Sequence, residues 1–231
     1  MTDLSQALRK ELSDRGAVLT AFGDLSGLPA EQREGLPVGV GVAVKIEKDV
    51  IRGICDHPTP AYMAAYDELN EQLDTIVQAG AELLRQAGWR AVAKSRDVVK
   101  WDRADCVSLL PHKTVATRAE MGWVGKCALL VTEEYGSMIR ISSILTDAPL
   151  PTATPVDASR CGTCEACRTA CPANAVSGKA WTPASQRIDF FDALSCQATA
   201  RKRALEYVGK ETVLCGRCIA ACPYTKRYLA G

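Results

Sequence analysis

The chain has 231 residues, 47% hydrophobic and 24% charged, with a formal net charge of +1 at pH 7. That length suits one sizeable core and a small second module. No apolar run approaches the length that spans a bilayer, and the opening Met1-Thr2-Asp3-Leu4-Ser5 lacks a basic start and an apolar stretch, so a membrane span and a secretory signal are set aside and a cytoplasmic protein is expected. In that compartment the eleven cysteines stay reduced or bind metal, which argues against a disulfide framework.

Leu4 to Arg15 reads as a helix, and Ala17 to Phe22 as a short strand after Gly16. Val38 to Ile46 is an apolar, valine-rich run of strand length, consistent with a buried central strand. A long helix follows from about Ala61 to Ala87, its stripe Tyr62, Tyr66, Leu69, Leu73 and Ile76 recurring at three- and four-residue steps. Gly80 takes the next place on that stripe, where glycine weakens a helix by about 1 kcal/mol relative to alanine, so the last two turns are the least secure. Trp89 to Ala93 reads as a strand, and Thr114 to Glu120 as a helix leading into Gly122-Trp123-Val124-Gly125-Lys126. Strands from about Ala128 to Thr132 and Met138 to Leu145 flank the turn Glu133-Glu134-Tyr135-Gly136. Strands and helices mix without strict alternation, which gives an α+β class.

The Gly-Trp turn has two readings. It is a simple turn with Trp123 packed in the core, or Gly122 and Gly125 let a planar or anionic group approach the backbone while Lys126 supplies a point charge. A Pro/Thr stretch from Leu150 to Pro155 marks a boundary, with an α/β core over 1–154 and a second module over 155–231. From residue 156 onward eleven Lys/Arg stand against six Asp/Glu, a net +5, which leaves −4 for the first part. The clusters Arg201-Lys202-Arg203 and Lys226-Arg227 read as a solvated helix face or as a docking surface for an acidic electron donor.

Cys161, Cys164, Cys167 and Cys171, followed by Pro172, write C-x2-C-x2-C-x3-C-P, the spacing of bacterial ferredoxins, in which the fourth cysteine ligates a different cluster. A shorter run, Cys215, Cys218 and Cys222, ends at Pro223. Two [4Fe-4S] cubanes need eight thiolates; the runs supply seven, and Cys196 is the candidate for the eighth. With the last cysteine of each run crossing over, one cluster takes Cys161, Cys164, Cys167 and Cys222, and the other takes Cys171, Cys196, Cys215 and Cys218. Paired C-x2-C elements also suit zinc, but the three-cysteine stretch and the proline after both terminal cysteines favour clusters. The second module is therefore expected to be ferredoxin-like. Cys55 and Cys127 read as small buried hydrophobes.

The stretch Ala119 to Lys126, then Tyr135-Gly136-Ser137 and Ile144-Leu145-Thr146-Asp147, resembles the epoxyqueuosine reductase family, as does the order of the cysteine runs around Cys196. The likeness is good from about Ala116 to Tyr224 and loose over residues 1–100. It implies a nitroreductase-like α/β core, two clusters that pass electrons to a cobalamin, and Gly122, Trp123, Gly125, Lys126 and Ser137 near that corrinoid. Where the family carries an Asp-Ser-x-Pro proton donor, this chain has Asp105-Cys106-Val107-Ser108, which makes Cys106 or Asp105 the proton-source candidate. His112-Lys113 stands near where the family has a Glu, and the chain ends at Gly231 without the region by which such reductases hold tRNA. The resemblance thus implies an oxidoreductase acting on a small substrate rather than a tRNA base.

Two other readings compete. One is an electron-transfer partner that reduces the corrinoid of another protein without chemistry of its own. The other is an FMN-binding iron–sulfur flavoprotein. The electron donor would be a ferredoxin or flavodoxin, a separate corrinoid protein is a second partner, nucleic acid ranks last because the basic clusters lack interleaved aromatics, and a homodimer stays open.

Overall fold

The computed structural model describes residues 3–99, 101–102 and 107–231. It opens with α1 (Leu4–Asp14), whose cap Asp3 accepts a hydrogen bond from Ser5 N. Then come β1 (Leu19–Asp24), β2 (Val38–Lys45), the short α2 (Lys48–Arg52) and α3 (Pro60–Gln86). β3 (Ala91–Ala93) follows, then the small ladder β4 (Trp101–Asp102) with β5 (Val107–Ser108), and α4 (His112–Arg118). A hairpin of β6 (Trp123–Val124) and β7 (Leu130–Val131) leads to β8 (Ile139–Thr146). The cysteine-bearing part holds α5 (Ala166–Thr169), α6 (Arg187–Phe190), α7 (Ala193–Val208), α8 (Arg217–Ala221) and α9 (Pro223–Ala230). Among the described residues no helix is long and apolar enough to cross a membrane.

A four-stranded antiparallel sheet in the order β1-β2-β8-β3 is the frame, with Val40 opposite Ile144 and Val42 opposite Ser142 at its centre. Side chains alternate across a strand, so the two faces of β2 can be read from its sequence. Val38, Val40, Val42 and Val44 join Leu8, Leu12, Leu73, Ile76 and Leu84 under α1 and α3. Gly39 and Gly41 face the other way, where an added Cβ would lie 2.7 Å from Val115 Cγ1 and 2.3 Å from Met121 Sδ. The small residues let α4 lie close against the sheet, and α4 carries the site residues His112 and Lys113.

Several sequence expectations shift. The long helix runs unbroken through Gly80, because a Cβ there would lie 2.7 Å from both Leu12 Cδ2 and Ile144 Cδ1. The glycine marks close packing of α3 on α1 and the sheet rather than a weak end. The expected strand from Ala128 shrinks to Leu130–Val131, since Ala128 adopts a left-handed φ of 61° in a turn closed by Ala128 N to Gly125 O. The segment taken as a turn at Trp123 is instead the partner strand β6. Cys55, expected to be buried, is exposed, and its thiol donates to Arg52 O at 3.4 Å.

The cysteine-bearing part packs on the face of the sheet that carries α4. One apolar cluster joins Ala43, Tyr62, Met63, Met138 and Ile139 with Ala204, Leu214, Ile219 and Ala220. At Gly216 (φ 81°) an added Cβ would sit 2.4 Å from Ile54 Cδ1, and at Gly136 (φ 58°) 2.3 Å from Thr225 N. Gly216 thus lets the start of α8 rest on the Ile54 and Tyr62 side chains, and Gly136 lets the backbone of α9 approach its own.

Candidate functional site

The first cysteine run folds as a turn and one short helix. Cys164 N bonds to Cys161 O at 3.0 Å, Cys167 lies on α5, and Cys171 N closes on Arg168 O. In the second run Cys218 lies on α8, and Cys222 joins α8 to α9 ahead of Pro223, which cannot use a backbone N–H and suits a first helical position. Cys196 stands in the first turn of α7, whose N-terminus is capped by Asp192 accepting from Leu194 N and Ser195 N. A cavity of about 140 Å³ is lined by Cys161, Cys164, Cys167 and Cys222, together with Cys218 and Cys127. Among the described residues no group of three or more Cys, His, Asp and Glu closes tightly enough for a single metal ion. The thiols that line this cavity suit a [4Fe-4S] cubane.

Trp123 packs behind the wall of that cavity. It is fully buried against Val131 and Val156, with Cys161, Cys222 and Tyr224 packed beside it, and its ring meets Tyr224 edge-on at 4.8 Å. Among the described residues its buried Nε1 has no hydrogen-bond acceptor. Lys126 is 4% exposed, and its Nζ donates to Cys164 O at 2.9 Å and Glu165 Oε1 at 2.8 Å, which fixes the first cysteine loop to the hairpin tip. Lys126, first of all, and then Arg168 hold the Glu165 carboxyl below its ordinary range. Gly122 and Gly125 lie under the hairpin itself: a Cβ at Gly122 would meet Val131 O at 2.1 Å, and one at Gly125 would meet Val131 Cγ2 at 2.9 Å.

Ser137 is set apart from that group. Its N–H donates to Thr225 Oγ1 at 3.1 Å, while its buried Oγ has no partner among the described residues, and Ser137 lines a second cavity of about 250 Å³. The same cavity is walled by Ile139, Ile141 and Leu130, by Ile219 from the second cysteine loop, and by His112, Lys113 and Arg140. A third cavity of about 340 Å³ adjoins it, sharing Ser108, Pro111 and Lys113 and adding Trp181, Phe190, Arg118 and Arg187. Both are mostly apolar with a few convergent cations, the character of a small-molecule site. Burial, then Lys94 and Arg140, push the His112 imidazole down to about 4, and its Nδ1 lies 2.9 Å from Ser143 Oγ. Burial and the neighbouring Arg187 bring Lys113 down to about 8, with its Nζ donating to Ala128 O. Arg140 is held by Asn70 Oδ1 and lies 4.2 Å over the Tyr66 ring.

Cys106 and Asp105 lie outside the described residues. The sequence reading did not find Arg140 or the nearness of Cys127 to the cluster cysteines. Arg140 is a lone cation in an apolar strand, a signal that was present. Cys127 gives no such signal, because a solitary cysteine in an apolar run looks like core.

Residues 160–225 match the 4Fe-4S double cluster binding domain, and this part of the chain is such a domain. The chain is 26% identical to the epoxyqueuosine reductase of Aliivibrio fischeri over 176 residues, 73% of this chain and 44% of that protein. It is 27% identical to the Pseudomonas aeruginosa epoxyqueuosine reductase over 221 residues, 90% of this chain and 56% of that one. It therefore spans about half the length of these relatives or less. In three dimensions it resembles the catabolic reductive dehalogenase NpRdhA in complex with 3-bromo-4-hydroxybenzoic acid (TM-score 0.73, 17% identity, 97% of this chain and 33% of that one). It also resembles an epoxyqueuosine reductase carrying an epoxyqueuosine-modified tRNA-Tyr stem loop (TM-score 0.60, 20% identity, 96% and 65%). These similarities relate the chain to iron–sulfur oxidoreductases, and the solved structures show the fold alone.

Proposed function

We propose that this protein is a corrinoid-dependent reductase: electrons enter the double-cluster domain and leave it toward a cobalamin and a small acceptor held in the cavities beside β8 and α4. The observation that carries this reading is Ile219, which lies between Cys218 and Cys222 and also walls the cavity of about 250 Å³. An acceptor bound there is separated from a cluster ligand by one residue.

The lining suits the edge of a mostly apolar group that carries hydrogen-bonding substituents and an anionic one. Leu130, Ile139 and Ile141 supply apolar wall, Arg140 and Lys113 supply positive charge, and the unpartnered Ser137 Oγ supplies a hydrogen bond. When bound, the corrinoid would supply the low-potential two-electron chemistry that protein side chains lack. The chain's own part is orientation and protons. Lys113 lines both cavities, and its Nζ, brought down to about 8, holds a proton it can release near neutral pH. Cys106 and Asp105, just ahead of the cavity residue Ser108, are the other proton-source candidates. His112 stays neutral and fixes the start of α4 through Ser143. The core is taken as nitroreductase-like, and the electron donor as an acidic carrier such as a ferredoxin or flavodoxin meeting the exposed Arg201 and Lys202 on α7.

Anaerobic reconstitution followed by titration with hydroxocobalamin tests the reading. Tight binding with a base-off spectral shift, weakened at least tenfold by Arg140→Gln, is expected. Two intact clusters with no corrinoid binding would retire it in favour of an electron carrier, and a yellow flavin retained through purification would replace it with a flavoprotein.

A further inference from the structure

The tip of the β6–β7 hairpin is anchored from several sides. Lys126 is tied to Cys164 O and Glu165, Lys113 donates to Ala128 O, and Gly125 N closes on Leu129 O at 2.8 Å. Ala128 holds a left-handed φ of 61°, a conformation that a non-glycine residue keeps only where its surroundings impose it. The residue placed by all of this is Cys127. It is 4% exposed, and it lines the cluster cavity together with Cys167 and Cys218, the two cysteines that its thiol faces. Under the crossed-over ligand assignment those two cysteines belong to different clusters.

We propose that Cys127 is a positioning residue between the two clusters: it donates its S–H to the sulfur of Cys167 or Cys218 and thereby raises the reduction potential of the cluster that receives the bond. Cluster potentials depend on hydrogen bonds to the sulfurs and on solvent exposure. A donor aimed at a ligand sulfur draws off negative charge and favours the more negative, reduced state, and outer-shell partners of this kind tune metal sites generally. Cys127 is suited to this because burial keeps competing water away. The α/β part of the chain thus reaches into the ferredoxin-like part and sets the driving force between its two centres. The inference requires the two clusters but not the corrinoid, so it survives or fails independently of the acceptor's identity.

The experiment compares Cys127→Ala and Cys127→Ser in the full-length, anaerobically reconstituted protein by iron content and EPR-monitored redox titration. Both variants are expected to keep about eight irons, the content of two [4Fe-4S] clusters. In Cys127→Ala one cluster should become harder to reduce by about tenfold in its reduced-to-oxidised ratio at fixed poise, or about 59 mV for a one-electron couple. Cys127→Ser, with a stronger O–H donor of similar size, should hold the potential at or above that of the parent protein. Unmoved potentials in the alanine variant would make Cys127 simple packing and overturn the proposal. Loss of a cluster from the serine variant would make Cys127 a ligand, and an equal fall in both variants would remove the donor as the cause; either also overturns it.

Discussion

The two cysteine runs supply seven thiolates, at Cys161, Cys164, Cys167, Cys171, Cys215, Cys218 and Cys222, and two cubanes require eight. Cys196 lies on a different element from the other seven, in the first turn of α7, where the Asp192 cap fixes the direction in which the helix starts. If it completes the second cluster, Cys196→Ala should lower the iron content of the reconstituted protein from about eight to about four, leaving one EPR-active centre. Full retention of iron would remove Cys196 from the ligand set. At this scale the legibility of the sequence follows the number of constraints on a residue. Seven cysteines at fixed spacings, each run ended by Cys-Pro, allow few alternatives, because only a tight loop around a metal centre needs that density of thiols. Lys126 was readable as a point charge beside a turn, but its partners, Cys164 O and Glu165, come from a loop some forty residues away in sequence. No local pattern announces a contact of that kind, and the same holds for Cys127.

At the level of elements, periodicity carried most of the fold. The valine-glycine alternation of β2 sorts large residues toward α1 and α3 and small ones toward α4, and the apolar stripe of α3 gives its length to within a residue at each end. Short elements were less readable, because two-residue strands such as β6 and β7 have no period, and their pairing is decided by the turn between them. The glycines show how a correct residue can be assigned a different physical role. Gly80 looked like a weak point in a helix and is a contact point. Gly122 looked like a place for another group to approach the backbone, and the group that approaches it is the Val131 carbonyl of the partner strand, 2.1 Å from where a Cβ would stand. Gly122→Ala should therefore cost about 3 kcal/mol, the upper end for overpacking, because a backbone oxygen cannot swing aside as a side-chain tip can. For a chain of this size that corresponds to a fall in Tm of roughly 6 to 12 °C, measurable by circular dichroism. A change of less than about 1 kcal/mol would mean that the hairpin is free to shift, and with it the placement of Lys126 and Cys127.

For the molecule as a whole, the division of charge between an acidic first part and a basic second part was visible in composition, but not what the charges meet. Many of the basic side chains turn inward on the same chain. Arg217 pairs with Asp56 at 3.1 Å, Arg160 and Arg227 pair with Glu133 at 3.3 and 3.2 Å, and Arg203 donates to Asp56 O. Such half-exposed pairs contribute about 0.2–1 kcal/mol each, so they orient the two parts more than they bind them. The binding comes from the shared apolar cluster and from the close backbone approach at Gly136, where Ser137 N donates to the fully buried Thr225 Oγ1. The sequence boundary near Pro155 is bridged as well, by Val156 N to Thr117 O and by Gly23 pairing with Ala153. The parent protein should therefore unfold as one unit, with cluster absorbance and far-UV circular dichroism lost at the same guanidinium concentration. Gly136→Ala places a side chain 2.3 Å from Thr225 N at a left-handed φ, so it both strains the turn and pushes α9 away. In that variant the two signals should separate, with iron released at a lower denaturant concentration than the sheet unfolds. Coincident transitions in the variant would mean that the two parts are held by the apolar cluster alone, and that the Ser137–Thr225 contact is dispensable for positioning the second cysteine loop against the cavity.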